Sequence, residues 1–231
     1  MSARIVDGDA SGISIAADRL KSGGLVAFPT ETVYGLGANA TQPDAVSRIF
    51  SVKARPEKHP LIVHIESGEN LAFWATKWSP EIDPLIKAFW PGPLTLILEC
   101  DRKFKYLTGG QEKIGLRCSS HPIFQSLIKD FASIGGKGIA APSANRFGQV
   151  SPTDAQEVFI ELADYMDEQR DLILNGGESD LGIESTILDC TLEKFEILRP
   201  GPITSKQIAE ITGYLPAKKS RSHTKHSGGL E

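Results

Sequence analysis

The sequence predicts an α/β protein built on a mixed β-sheet with helices on both faces. Apolar runs of strand length, LVAF (25–28), PLIVHI (60–65), LTLILEC (94–100) and IGLRCS (114–119), alternate with stretches whose apolar residues recur at helical spacing. Further strand signals then cluster at 172–174, 183–189 and 194–199, which a strictly alternating parallel sheet does not accommodate. No window approaches the roughly 18 consecutive apolar residues of a membrane span, so no membrane association is expected.

The elements follow in order. ISIAADRLKS (13–22) reads as a short helix that Gly23 and Gly24 stop. The strand at 25–28 breaks at Pro29 into a hydroxyl-rich turn, Thr30-Glu31-Thr32, and a loop holding Tyr34, Gly35 and Gly37. Thr41 reads as an N-cap, with Pro43 and Asp44 in the first turn of a helix to about Val52. PLIVHI is a buried strand. Helices near 69–77 and 79–89 lead into WPGP (90–93), where two prolines force a turn. Strands at 94–100 and 114–119 flank a polar excursion. The helix at 121–134 places Ile123, Leu127, Ile128 and Phe131 on one face. KGIAAPSAN (137–145) is a strand ending in a polar turn, and a helix over 152–165 is capped by Ser151. The late strands precede a helix near 204–212.

At 231 residues, with 40% hydrophobic and 23% charged residues, the chain has the balance of a soluble globular protein. Residues 1–216 are expected to form one folded unit. Residues 217–231, AKKSRSHTKHSGGLE, are expected to form a polar linker or disordered tail. The first residues, MSARIVDGDASG, lack the apolar core of a secretory signal. Cys100, Cys118 and Cys190 are too far apart for a metal knuckle and read as reduced, buried thiols of a cytoplasmic protein. Net charge is −4. Lys218, Lys219, Arg221 and Lys225 against Glu231 leave residues 1–216 with 21 cations and 28 anions, a net of −7. An acidic body argues against broad, charge-driven nucleic-acid binding.

Polar clusters stand where strands end. Thr30, Thr32 and Tyr34 serve either a tight turn or a ligand. Lys53 and Arg55, locked by Pro56, either complement a helix C-terminus or gather an anion. His64 in an apolar strand is either a core histidine or a ligand contact. Arg117 in IGLRC meets an internal carboxylate or awaits an anionic ligand, because an unpaired buried guanidinium is costly. Ser143 and Asn145 share one side of a continued strand, followed by Arg146, Gly148 and Ser151. Glu184-Ser185-Thr186 and Arg199 complete the set. P-loop, dinucleotide-binding, H-E-x-x-H and G-x-S-x-G patterns are absent, and no carboxylate pair is spaced as a metal cage. Cations and hydroxyls dominate, which suits nucleotide and carboxylate binding with catalysis by positioning and charge stabilisation.

The order of FPTETVYGLGANA, K-x-R-P (53–56), PLIVHI, WPGPLT, GLR (115–117), APSAN, SPT, GIESTI and LRPGP resembles the YrdC-like family, the L-threonylcarbamoyladenylate synthases, from about Gly12 to Thr212. The resemblance implies a strongly twisted mixed sheet with a concave, positively charged cavity. It also implies the reaction of L-threonine, bicarbonate or CO2 and ATP to threonylcarbamoyl-AMP and pyrophosphate, with Mg²⁺ on the phosphates. This is the first step of threonylcarbamoyladenosine formation in tRNA. Transferase proteins would receive the product, and any contact with tRNA itself would be weak.

Carried over motif by motif, Thr30, His64, Arg117, Ala141 through its backbone and Ser185 stand at threonine-binding positions. Lys53, Arg55, Ser143, Asn145, Ser151 and Arg199 stand at ATP-binding positions, with Lys53 and Arg55 as the catalytic cations. No metal-ligating residue and no general base stand out. Longer members add a small α/β domain after a linker, and KHSGGLE resembles the start of that linker. The alternatives are an RNA-binding module acting on tRNA or ribosomes, and a carbamoyl-adenylate domain like those inside hydrogenase-maturation carbamoyltransferases. The latter occur beside acylphosphatase-like and zinc-finger-like segments, which this chain lacks.

Overall fold

The computed structural model describes residues 4–218. The first half runs β1 (Arg4–Asp7), α1 (Ala10–Lys21), β2 (Val26–Phe28), β3 (Gly35–Asn39), α2 (Pro43–Lys53), β4 (Ile62–His64), α3 (Leu71–Trp74), β5 (Ala75–Lys77), α4 (Ile82–Phe89) and β6 (Leu94–Cys100). The second half runs α5 (Lys105–Thr108), β7 (Lys113–Arg117), α6 (Pro122–Ser133), β8 (Ile139–Ala140), α7 (Ala155–Leu162), β9 (Leu172–Asn175), β10 (Thr186–Asp189), β11 (Glu196–Arg199), α8 (Ser205–Thr212) and β12 (Ala217–Lys218). One sheet orders them β1-β9-β2-β3-β8-β4-β7-β6-β10-β11-β12, with β5 also paired to β6. Parallel pairs such as β4–β7 and antiparallel pairs such as β6–β7 make it mixed, as expected.

Side-chain alternation along short strands divides the core into two layers. Val26, Phe28, Leu172 and Leu174 face α1 and α6, meeting Ala16, Leu20, Phe124 and Leu127. Leu25, Ala27 and Ile173 face the other way, toward Val46 and Ile49 of α2 and Val158 and Leu162 of α7. Helices therefore cover both faces. No helix among the described residues is long and apolar enough to cross a membrane. Cys100, Cys118 and Cys190 are buried free thiols.

Several local expectations are corrected. Gly35–Asn39 is a strand antiparallel to β2, not a loop. Gly37 is there for close packing: a Cβ would lie 2.4 Å from Phe28 Cε1 and 2.6 Å from Ile139 Cγ2. Thr41 does not cap α2. Gln42 occupies that position without a side-chain bond, and the Thr41 hydroxyl donates to Asn39 Oδ1 at 2.8 Å. Ser151 is not the cap of α7, because Asp154 accepts from Glu157 N at 2.8 Å and the helix starts three residues after Pro152. Residues 75–77 leave the predicted helix to pair with β6. The 137–145 strand shrinks to Ile139–Ala140 ahead of Pro142. β1, unmarked by a long apolar run, pairs with β9. Within the expected tail, Ala217–Lys218 pair with β11. Residues 219–231 lie outside the described residues.

The turn after β2 reaches across the sheet. β2 and β7 are four places apart in the strand order, about 19 Å at strand spacing. Yet Glu31, three residues after β2, accepts from Arg117 at the end of β7 at 2.6 Å.

Candidate active site

The floor of the site is a row across three strands. His64 on β4 pairs in register with Arg117 on β7, which pairs with Thr95 on β6. Residues directly opposite share a face, so all three project to one side. His64 is 3% exposed and sits edge-on to Phe28 and Phe124 at 6.0 and 5.2 Å. Burial, and then the Arg117 charge, hold its pKa well below the ordinary imidazole value, so it is neutral at pH 7.

The turn after β2 forms the first wall. The Thr30 hydroxyl donates to Val33 O at 2.7 Å and accepts from the amides of Thr32 and Val33 at 3.2 Å. It also lies 2.8 Å from Thr32 Oγ1. Its hydroxyl thus serves the turn itself. Both Nη2 protons of Arg117 are used here, one on Glu31 Oε1 at 2.6 Å and one on Thr32 Oγ1 at 2.8 Å. Of the two readings of Arg117, the internal carboxylate is real, yet Arg117 Nε stays buried without a partner among the described residues.

The second wall is the end of α2. That helix closes in a Schellman arrangement, with Arg55 N donating to Phe50 O at 2.9 Å and Ala54 N to Ser51 O at 3.2 Å. Ala54 holds the left-handed position, φ 49°, where glycine is usual. The reversal sends Lys53 inward and Arg55 to the half-buried rim. Lys53 is 1% exposed. Its Nζ donates to Ser143 O at 2.6 Å and to Asn145 O. Burial first, then Arg55, lower its pKa to about 7. Arg55 donates to Pro60 O at 3.1 Å and its Nε has no partner among the described residues, while burial lowers its pKa to about 10.

The segment after β8 threads between these walls. Ser143 bridges to Gly35. Asn145 Nδ2 donates to Arg146 O and Gln149 O, both at 2.7 Å, and Oδ1 is buried and unpartnered among the described residues. Ala141 N donates to Ile62 O at 2.9 Å, so a backbone contact from this residue falls to its carbonyl.

A third wall joins Ser151, Glu184, Ser185 and Arg199. Arg199 pairs with Glu184, which also accepts from Ser151 Oγ at 3.3 Å. Arg199 Nε and Nη2 reach Ser185 O and Oγ, each at 3.1 Å, and Ser185 Oγ lies 2.8 Å from Thr95 Oγ1. Burial, then the charges of Arg117 and Arg55, lower the Arg199 pKa to about 10. Arg199 thus lies within electrostatic range of both Arg117 on the floor and Arg55 on the second wall.

Sequence reasoning passed over Glu31, Thr95, Ser119 and the carboxylate role of Glu184. The available signal was the acid inside a hydroxyl-rich turn, a natural partner for a buried arginine.

Residues 18–201 match the family model Sua5_yciO_yrdC, described as "Telomere recombination". The chain is 44% identical over 202 residues to threonylcarbamoyl-AMP synthase of Pyrococcus abyssi, covering 87% of this chain and 57% of that protein. It is 42% identical over 212 residues to the Bacillus subtilis protein of the same name, covering 91% and 59%. It therefore spans less than two thirds of the length of these curated relatives. The crystal structure of P. abyssi Sua5 complexed with L-threonine superposes with a TM-score of 0.88 at 39% identity, covering 99% of this chain and 67% of that one. Escherichia coli YciO shares the fold, with a TM-score of 0.74 at 24% identity over 90% of this chain and 100% of that one.

Proposed function

The chain belongs to the Sua5/YciO/YrdC family, and from that premise we propose that it makes threonylcarbamoyl-AMP from L-threonine, bicarbonate or CO2, and ATP, releasing pyrophosphate. One observation carries the reading. Of six buried side-chain nitrogen or oxygen atoms without a partner among the described residues, four belong to Arg55, His64, Arg117 and Asn145. A buried polar atom left unpaired costs about 1–3 kcal/mol. These four, from the floor, the end of α2 and the segment after β8, are accounted for by a polar ligand that completes them.

In the proposed reaction the threonine amine, once deprotonated, attacks the carbon of CO2. A carbamate oxygen then attacks the α-phosphorus, and the bond to the β-phosphate breaks with its electron pair leaving on pyrophosphate. The carboxylate, the carbamate and the triphosphate repel one another, so the protein's part is charge and alignment. Arg117 and His64 take the threonine, with the Ala141 carbonyl and Ser185 beside them. Thr30 contributes the shape of its turn. Arg55, Arg199 and Lys53 face the phosphates, and Ser143, Asn145 and Ser151 orient the nucleotide. Mg²⁺ is assigned to the phosphates: no three His, Cys, Asp or Glu side chains converge among the described residues, and Mg²⁺ commonly binds through substrate phosphates. The product's mixed anhydride would pass to a threonylcarbamoyl-transferase in the route to modified tRNA. The buried free thiols support a cytoplasmic setting.

The test is pyrophosphate release from ATP and bicarbonate with and without L-threonine, with serine as control. Threonine-dependent release with an AMP-linked product by mass spectrometry is expected. Absence of release together with salt-sensitive tRNA binding would favour the RNA-binding alternative instead. A sharper expectation concerns Arg117→Lys, which keeps a charge beside Glu31 but loses the planar fork. It raises the threonine KM by about tenfold or more and changes the ATP KM little. An unchanged threonine dependence would make Arg117 structural.

A further inference from the structure

We propose that Glu31 is a positioning residue for the threonine carboxylate site: it holds Arg117 by one nitrogen so that the remaining guanidinium donors stay turned to the ligand. This rests on the reading of Arg117 as the carboxylate contact.

Glu31 is 5% exposed and Arg117 4%. Both carboxylate oxygens accept from protein donors. Oε1 accepts from Arg117 Nη2 at 2.6 Å. Oε2 accepts from the Ser119 hydroxyl and from Ser120 N at 3.1 Å. The Glu31 carbonyl accepts from Leu181 N at 3.0 Å, tying in the loop after β9. Burial alone would raise this carboxyl's pKa. The Arg117 charge and the bonds from Ser119 and Arg117 outweigh that and lower it, so the group is an anion at neutral pH.

Stability does not explain such a pair. The hydration that two charges lose on burial offsets much of their attraction, and an apolar pair of similar volume often does as well or better. What the arrangement supplies is direction. A guanidinium has five N–H groups, and among the described residues every bond that Arg117 donates leaves from Nη2, toward Glu31 and Thr32. Nε remains buried and unmatched. Held at Nη2, the guanidinium has Nε–H and Nη1 left to offer a carboxylate, with its orientation already set before the ligand arrives. Ser119 and Ser120 in turn fix Glu31, so its position is set by the backbone leaving β7 rather than by Arg117 alone.

The experiment compares wild type, Glu31→Gln and Ser119→Ala by titration calorimetry with L-threonine, by the KM values for threonine and ATP, and by thermal melting. Glu31→Gln keeps the shape and removes the charge. It is expected to weaken threonine binding and raise the threonine KM by about tenfold, with the ATP KM within about threefold. Ser119→Ala leaves the ion pair and the Ser120 N bond but removes the hydroxyl from Oε2, and is expected to weaken threonine binding by about threefold even if Glu31→Gln folds poorly. Threonine affinity equal to wild type in both variants, or equal shifts in the two KM values, overturns the role of Glu31. Wild type that binds threonine but releases no pyrophosphate overturns the reaction and leaves Glu31 to be judged by calorimetry. Wild type that binds no threonine overturns both.

Discussion

Arg55→Ala is expected to remove nearly all pyrophosphate release while the protein melts close to the wild-type temperature. The two effects separate because Arg55 contributes little to the fold. It is half-buried, its hydrogen bond to Pro60 O is 3.1 Å long, and its buried Nε has no partner. Truncation removes an unsatisfied donor and relieves part of the repulsion that Arg55 exerts on Lys53 and Arg199. Both terms favour the folded state and offset the lost packing against Phe147, whose ring centre lies 5.9 Å from the guanidinium carbon. For the reaction the loss is large, because an arginine on a transferring phosphoryl group is worth about 10³–10⁵ in kcat. Parallel measurements of pyrophosphate release and thermal unfolding check this. Turnover within about threefold of wild type would move the phosphate site elsewhere.

The parts of this molecule that were legible in its sequence are those whose cause is local. LTLILEC spells out β6 because it combines strand-forming residues with strand length, and Thr204 begins α8 because its side chain caps the amide of Gln207. The β3 strand was hidden because GLGAN has low strand propensity, and its glycines answer to Phe28 and Ile139 across the sheet. Ser151 looked like a cap because it precedes a proline; its partner, Glu184, lies 33 residues on. The question posed by Arg117 could not be decided locally, since Glu31 is 86 residues away and only the tertiary fold brings it close. The motifs marked which residues converge. They did not reveal that Thr30 spends its hydroxyl on its own turn, or that Lys53 grips the backbone of the Ser143–Asn145 segment.

That grip makes Lys53 unlike Arg55. Lys53→Met, close in volume but without donors, is expected to lose stability and turnover together. Ser143 O and Asn145 O would lose their donor, a cost of about 1–3 kcal/mol for each group left unpaired. The segment carrying Ser143 and Asn145 would relax, and turnover should fall by about a hundredfold or more. Protonation adds a sign that can be checked. With a folded pKa of about 7 against an ordinary 10.5, the folded chain holds fewer protons than the unfolded chain across that window. The contribution of Lys53 to stability therefore grows as pH rises from about 7 toward 10, and it is absent in Lys53→Met. A neutral amine still has two N–H groups for the two carbonyls. The third N–H of the ammonium is what a phosphate oxygen would receive. Nucleotide bound at Lys53 would restore the charged form, so ATP binding near pH 8 should take up close to one proton. Calorimetry in buffers of different ionisation enthalpy reads that uptake directly. Uptake in wild type that disappears in Lys53→Met places Lys53 against the phosphates, whereas equal uptake in both confines it to holding Ser143 and Asn145 in place.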